Sequence, residues 1–216
     1  MNWLFSFFWT SIGKKLIMAC TGFVFCVFLI IHFIGNLMIF RGGEVFNAYS
    51  ERLHSFGLII NAIEIGLLVL AIFHVTFAAI LYFENLRARP TRYVLKKNAG
   101  GRTWSSRLMP YTGLYLLFFV ILHLLTFHFA QRDGRTLYQL VAGAFDSPAY
   151  VVFYVFSMIV AGLHIRHGFW SAFQTIGADH PKYTSIIRGG SLILSIVLTV
   201  GFSSIPLFIL WNTLGD

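Results

Sequence analysis

The chain has 216 residues, of which 57% are hydrophobic and 11% are charged, and its formal net charge is +8. A soluble domain carries about a quarter charged residues, so the composition excludes an ordinary soluble enzyme and indicates an integral membrane protein. We expect a single domain over residues 1–216, because the apolar runs leave little chain for a separate soluble module.

Five apolar runs are long enough to cross the hydrocarbon core of a bilayer, which takes about 20 helical residues. They cover residues 17–40, 58–83, 109–130, 149–174 and 187–211. The predicted fold class is therefore all-α, with four helices in a bundle and a fifth, histidine-free helix packed at its periphery. The first run is too long for the apolar region of a signal peptide, and we expect it to be a retained helix.

Prolines mark several of the predicted helix ends. Pro110 and Pro148 are expected at helix starts, where a missing N–H does no harm. Pro206 is expected to interrupt the last span near its end.

The basic residues are unevenly distributed between the connections. If the N-terminus is cytoplasmic, eleven of the sixteen Lys and Arg lie on the cytoplasmic side and four on the other. The positive-inside rule then places the N-terminus in the cytoplasm and the C-terminus outside, and the positive charge needs no nucleic acid to explain it. Two interpretations of the basic segment 87–107 are open. It either sets the membrane orientation and binds anionic lipid, or it docks a cytoplasmic partner.

Histidines recur inside the apolar runs. Six of the eight lie in four successive spans: His32, His74, His123, His128, His164 and His167. An imidazole in hydrocarbon is costly unless something satisfies it, so such residues are functional candidates.

Their depth separates them into two levels. At 1.5 Å per residue, His32 and His123 lie about 12 Å below the outer surface, and His74 and His164 lie about 15 Å from the inner surface by the same rise. In a four-helix bundle with up-down connectivity, alternate helices can face each other across the core. The four histidines thus form two pairs at two depths.

Two imidazoles at each of two levels predict two b-type haems rather than a tetrahedral zinc site, whose ligands would converge. With both axial positions filled, such haems transfer electrons. His128 is about 140° around a regular helix from His123 and lies near the interface, where a plain polar role is expected. His167 shares a face with His164 and is a candidate contact to a haem edge or propionate.

Several stretches resemble a known family. They are IHFIGN at 31–36, RGGEVFNAYS at 41–50, IEIGLLVLAIFH at 63–74, TGLYLLFFVILH at 112–123, SPAYVVFY at 147–154 and HIRHGFWS at 164–171. The chain resembles the five-helix, two-haem cytochrome b membrane anchors of bacterial succinate:menaquinone oxidoreductases and quinol:fumarate reductases. The stretches cover all four histidine-bearing spans.

This resemblance implies specific roles. His32 and His123 would ligate the iron of an outer haem, and His74 and His164 that of an inner haem. In such complexes a flavoprotein subunit interconverts succinate and fumarate in the cytoplasm, an iron–sulfur subunit relays electrons to the inner haem, and the outer haem exchanges them with menaquinone. The resemblance implies a location in the bacterial cytoplasmic membrane and leaves a dimer of heterotrimers open.

Quinone chemistry also requires an acid–base group near the outer haem. Glu44, Glu51, His54 and Glu64 are the candidates, and Glu64 lies about 15 Å outward from His74 along its helix. A carboxylate within a span is costly without a role, although Glu64 could equally be an interface residue. At the opposite end, inner-haem propionates could be held by residues that could equally form an interface anchor: Trp104, Ser105, Ser106 and Arg107.

One position departs from the fumarate-reducing relatives, some of which carry a glutamate two residues before the inner ligand of the fourth helix. Gly162 stands there in this chain, which favours succinate oxidation. Two other interpretations stay open: a cytochrome b anchor of a hydrogenase or formate dehydrogenase, and a membrane transporter that relays protons through histidines.

Overall fold

The computed structural model describes residues 3–88, 104–178 and 180–215. All regular secondary structure in these ranges is helical. The elements in chain order are α1 (Trp3–Trp9), α2 (Ser11–Asn36), a 3-10 turn (Leu37–Arg41), α3 (Gly43–His54), α4 (Leu58–Arg87), α5 (Trp104–His123), a π-helical turn (Leu124–His128), α6 (Leu137–Phe145), α7 (Pro148–Thr175) and α8 (Pro181–Gly215).

Five helical segments are long and apolar enough to span a membrane, which confirms the predicted fold class. These segments are Ser11–Arg41, Leu58–Arg87, Ser106–His128, Pro148–Thr175 and Pro181–Leu214. All of them reach beyond the predicted apolar runs at one end or both, because amphipathic residues extend the helices past the hydrocarbon region. The protein is a multi-pass membrane protein.

Local capping fixes several helix starts. The Thr10 side chain accepts a hydrogen bond from the backbone N–H of Gly13 at 3.0 Å and caps α2. Thr136 and Gln139 form a reciprocal capping box at the start of α6, which satisfies two backbone donors at once. Pro148 is in the first turn of α7, as predicted.

Two of the proline predictions are wrong. Pro110 lies inside α5, which already begins at Trp104, and α8 continues through the fully buried Pro206 to Gly215. Membrane helices tolerate such prolines because neighbouring helices and local backbone adjustment satisfy the freed carbonyl groups.

The four histidine-bearing helices form the predicted bundle. Around it, α2 packs against α4 and α7, α7 also packs against α5, and α4 touches α5 only slightly. Helices α2 and α5 are therefore diagonal to each other, and α4 and α7 occupy the other diagonal. Helix α8 lies along α7 and also contacts α2.

The two ends of the bundle are built differently. At one end, here called the α3 end, the backbone N–H of Tyr138 in α6 donates to Oδ1 of Asn47 in α3 at 2.9 Å. At the other, here called the Lys14 end, the buried Lys14 ammonium of α2 pairs with the Glu84 carboxylate of α4. The first contact joins the two connection helices to each other, and the second links α2 to α4.

Candidate functional site: two histidine levels in the bundle

His32 and His123 meet across the bundle at one level, here called the His32 level. Their ring centroids are 6.1 Å apart and the ring planes are nearly perpendicular, at 88°. Phe28 stacks on His32 at 5.3 Å, and Phe202 of α8 lies 5.7 Å from it. The Tyr154 hydroxyl of α7 is 3.2 Å from Nδ1 of His123. Aromatic rings thus enclose this pair from several helices.

The spacing of these rings suits a shared metal ion. With metal–nitrogen bonds of about 2 Å, an ion between two imidazoles needs ring centres about 6 Å apart by that estimate. Both residues are half-buried, and each ring carries nitrogen atoms that can ligate a metal. The donor chemistry therefore fits an iron held by two axial histidines.

His74 and His164 form the second pair, here called the His74 level, on the other diagonal. Nδ1 of His74 lies 2.8 Å from the Thr21 hydroxyl of α2, and Nδ1 of His164 lies 3.1 Å from the Thr112 hydroxyl of α5. Each imidazole is thus held from a neighbouring helix.

His167 follows His164 by one turn of α7. Nδ1 of His167 is buried and has no hydrogen-bond partner among the described residues, and the His167 ring meets Trp170 edge-on at 6.2 Å. An orphaned buried nitrogen fits a polar group of a bound cofactor. Arg107 is half-buried in the second turn of α5, whereas the side chains of Trp104 and Ser105 lie outside the described part of the chain.

Glu64 faces His128 near the α3 end. Oε1 of Glu64 is 3.9 Å from Nδ1 of His128, and the two side chains are 40% and 42% exposed. The backbone there is π-helical: the N–H of Phe129 donates to the carbonyl of Leu124 at 2.8 Å, five residues back. Such π turns are frequent at functional sites. This one begins directly after His123 and ends at His128, so it sets the direction of the His128 side chain relative to a regular helix.

The other predicted acid–base residues lie on α3. Glu44, Glu51 and His54 are exposed, and Nδ1 of His54 donates to the Ser50 carbonyl at 2.7 Å. The structure therefore brings Glu64 to a histidine partner and leaves these three on the surface helix.

Sequence reasoning missed three residues that contact the histidine pairs, Thr21, Thr112 and Tyr154. It also missed that His128 faces Glu64. A signal for the two threonines was present, because a Thr-Gly dipeptide precedes a histidine by the same interval in α2 and in α5. Within the described ranges, no three His, Cys, Asp or Glu side chains converge on one point, so the histidines stand in pairs.

The chain is 28% identical over 191 residues to the succinate dehydrogenase cytochrome b558 subunit of Bacillus subtilis (strain 168), which covers 85% of this chain and 89% of that protein. No protein-family model and no solved structure matches the chain. The comparison confirms the resemblance predicted from the sequence, and the five apolar helices fit a membrane-anchor cytochrome b.

Proposed function

We propose that the chain is the membrane-anchor cytochrome b subunit of a succinate:menaquinone oxidoreductase and that it carries two b-type haems. The observation that carries this proposal is the presence of two imidazole pairs at two levels, each on one diagonal of the bundle. The similarity to a succinate dehydrogenase cytochrome b subunit supports the same assignment.

In this proposal His32 and His123 hold one haem iron, and His74 and His164 hold the other. A haem held by two histidines would supply one-electron transfer and would leave no site for a substrate on the iron. The protein residues fix the imidazoles, exclude water with aromatic side chains and separate the two levels along the bundle. His167, Arg107, Trp104 and Ser105 are the proposed contacts to the propionates of the haem at the His74 level.

Glu64 and His128 are the proposed acid–base pair for the quinone. A quinone takes up two protons with two electrons, so a group that can hold and release a proton must lie near the reacting oxygen. The 3.9 Å gap between Glu64 and His128 is wide for a direct hydrogen bond and suits one bridging atom, such as a water or a quinone oxygen. Glu44, Glu51 and His54 remain the alternative proton donors of the same end.

The packing at Gly162 supports succinate oxidation as the direction. Gly162 is buried against α8, and a Cβ atom at this position would collide with the Thr199 hydroxyl. A glutamate side chain therefore has no room there without separating α7 from α8. The chain consequently lacks the acidic residue that some fumarate-reducing relatives place at this point.

The orientation and partners complete the proposal. The Lys14 end faces the cytoplasm, because most basic residues lie on that side, and the C-terminus lies outside. A flavoprotein subunit and an iron–sulfur subunit dock at this end, with menaquinone as the electron acceptor at the α3 end. Association of two such complexes is compatible with the proposal and is not required by it.

Identification of the co-purifying subunits tests this proposal. We expect an affinity-tagged chain, extracted in mild detergent, to bring down a covalent or tightly bound flavin and iron–sulfur clusters together with succinate-dependent quinone reduction. Hydrogenase or formate dehydrogenase subunits would establish the rival anchor. A chain without redox partners and without haem would leave the histidine-relay transporter.

A further inference from the structure

Two threonines, one on α2 and one on α5, contact histidine side chains on the helices α4 and α7. Thr21 of α2 meets His74 of α4, and Thr112 of α5 meets His164 of α7. The two contacts join the same atoms, threonine Oγ1 and histidine Nδ1, at 2.8 and 3.1 Å. The arrangement therefore occurs twice, once on each side of the bundle.

The donor in each contact can be assigned from the backbone. The Thr21 hydroxyl donates to the carbonyls of Ile17 and Met18 at 2.8 and 3.2 Å. The Thr112 hydroxyl donates in the same way to Leu108 and Met109, at 3.1 Å in both cases. A hydroxyl has one hydrogen and two lone pairs, so towards the imidazole each threonine oxygen acts as an acceptor.

An accepting threonine fixes the histidine tautomer. The proton must be on Nδ1 of His74 and of His164, which leaves the Nε2 lone pair free, because a neutral imidazole has one N–H and one acceptor nitrogen. Histidines that bind metals usually donate their other ring N–H to a partner that holds the ring and increases its donor strength. In both rings of the His74 level, a threonine thus accepts the Nδ1 proton and Nε2 is left as the metal-binding nitrogen.

A glycine lies beside each of the two imidazole rings. The residue after each threonine is a glycine, and a Cβ atom built on Gly22 or Gly113 would lie 3.8 or 3.4 Å from Cε1 of the neighbouring histidine. These are ordinary van der Waals distances, so each imidazole edge lies beside the glycine with room for little more than a methyl group. At each site the threonine bonds to the ring, and the glycine places no side chain against the ring edge.

The same two helices carry the ligands of the other level. Thr21 precedes His32 by eleven residues, and Thr112 precedes His123 by eleven, within the related stretches TGFVFCVFLIIH and TGLYLLFFVILH. Eleven residues make about three turns and rise about 16 Å, so each threonine and its histidine share a helix face. The interval sets the distance between the two levels.

We propose that Thr21 and Thr112 are positioning residues for the haem at the His74 level, holding His74 and His164 as Nδ1–H tautomers with Nε2 directed to the iron. This inference rests on the proposed function, because it requires haem at that level. It does not extend to the His32 level, where the Tyr154 phenol, rather than a threonine, lies 3.2 Å from Nδ1 of His123.

Valine and serine substitutions in the full complex test the inference. Thr21→Val and Thr112→Val keep the side-chain shape and remove the acceptor, whereas Thr21→Ser and Thr112→Ser keep the hydroxyl. Without the acceptor the imidazole is a weaker donor and stabilises ferric iron less. We expect each valine variant to raise the midpoint potential of one haem and to leave the other unchanged, with the serine variants close to wild type.

The readout is a potentiometric titration of the two haem absorbance bands, with haem content measured in parallel. Thr76→Val, an exposed threonine on α4, is the matched control and should move neither potential. Loss of one haem in a valine variant with retention in the serine variant would also support the inference.

Three results would overturn the inference. They are unchanged potentials in both valine variants, equal shifts of both haems, and haem loss in the serine variants as well as the valine variants. A wild-type complex with two haems and unaffected valine variants would remove only the threonine assignment. A wild-type chain without haem would remove the proposed function together with it.

Discussion

At the residue scale, the proximity of His32 and His123 could be predicted from the sequence, and the surroundings of the histidines could not. Counting residues from the helix ends was enough to pair His32 with His123, and the two rings lie 6.1 Å apart. The π turn after His123 was not predictable by the same count, because a regular rise and twist were assumed for the whole helix. That turn determines where His128 meets Glu64.

Replacement of Glu64 by glutamine tests the acid–base role at this scale. Glu64→Gln keeps the size of the side chain and removes its ionisable group, so both haems should stay bound and succinate oxidation by a soluble dye should be unaffected. Menaquinone-linked turnover should fall, because general acid–base help typically contributes about 10²–10⁴-fold.

The matched control for this variant is Glu44→Gln on the exposed surface of α3. It should retain quinone-linked turnover if Glu64 is the proton donor. Normal turnover in Glu64→Gln with a loss in Glu44→Gln would transfer the role to α3, and a loss of haem in Glu64→Gln would make Glu64 a structural residue.

At the element scale, the number and type of spans followed from apolar run length, while close packing between helices did not. The sequence located Gly162 two residues before His164, but it could not show that Gly162 of α7 faces Thr199 of α8. Pro110 and Pro206 were misjudged for a related reason, because tertiary neighbours decide whether a membrane helix continues through proline.

Alanine at Gly162 tests the contact between α7 and α8. The added methyl group would have to displace Thr199 and approach the Ser195 carbonyl at 3.4 Å. We expect Gly162→Ala to lower the free energy of unfolding by about 1–3 kcal/mol, as overpacking usually does, measured by thermal or denaturant unfolding in detergent.

Gly190→Ala on α8 is the control for this substitution, because among the described residues no atom beyond the neighbouring backbone of α8 lies within 4 Å of an added Cβ there. It should be neutral or slightly stabilising, since alanine favours a helix over glycine. Equal stability of the two variants would show that α7 and α8 are not closely packed at Gly162.

At the scale of the whole molecule, two diagonals and two levels follow from the order of the spans. Up-down connectivity puts α2 opposite α5 and α4 opposite α7, and the histidine depths then separate the pairs. Under the proposed function, the basic residues at the Lys14 end and the Glu64–His128 pair at the α3 end would set the direction of electron transfer, from a cytoplasmic donor to a quinone. The same sequence pattern, Thr-Gly followed eleven residues after the threonine by histidine, occurs in α2 and again in α5. The two helices on one diagonal therefore carry matching residues at both levels.

The haem content of the purified chain, determined as pyridine haemochromogen against polypeptide concentration, tests the central claim most directly. The two histidine levels predict two b-type haems per polypeptide, with low-spin spectra because both axial positions are filled. One haem would mean that only one level binds iron, and no haem would contradict the account as a whole.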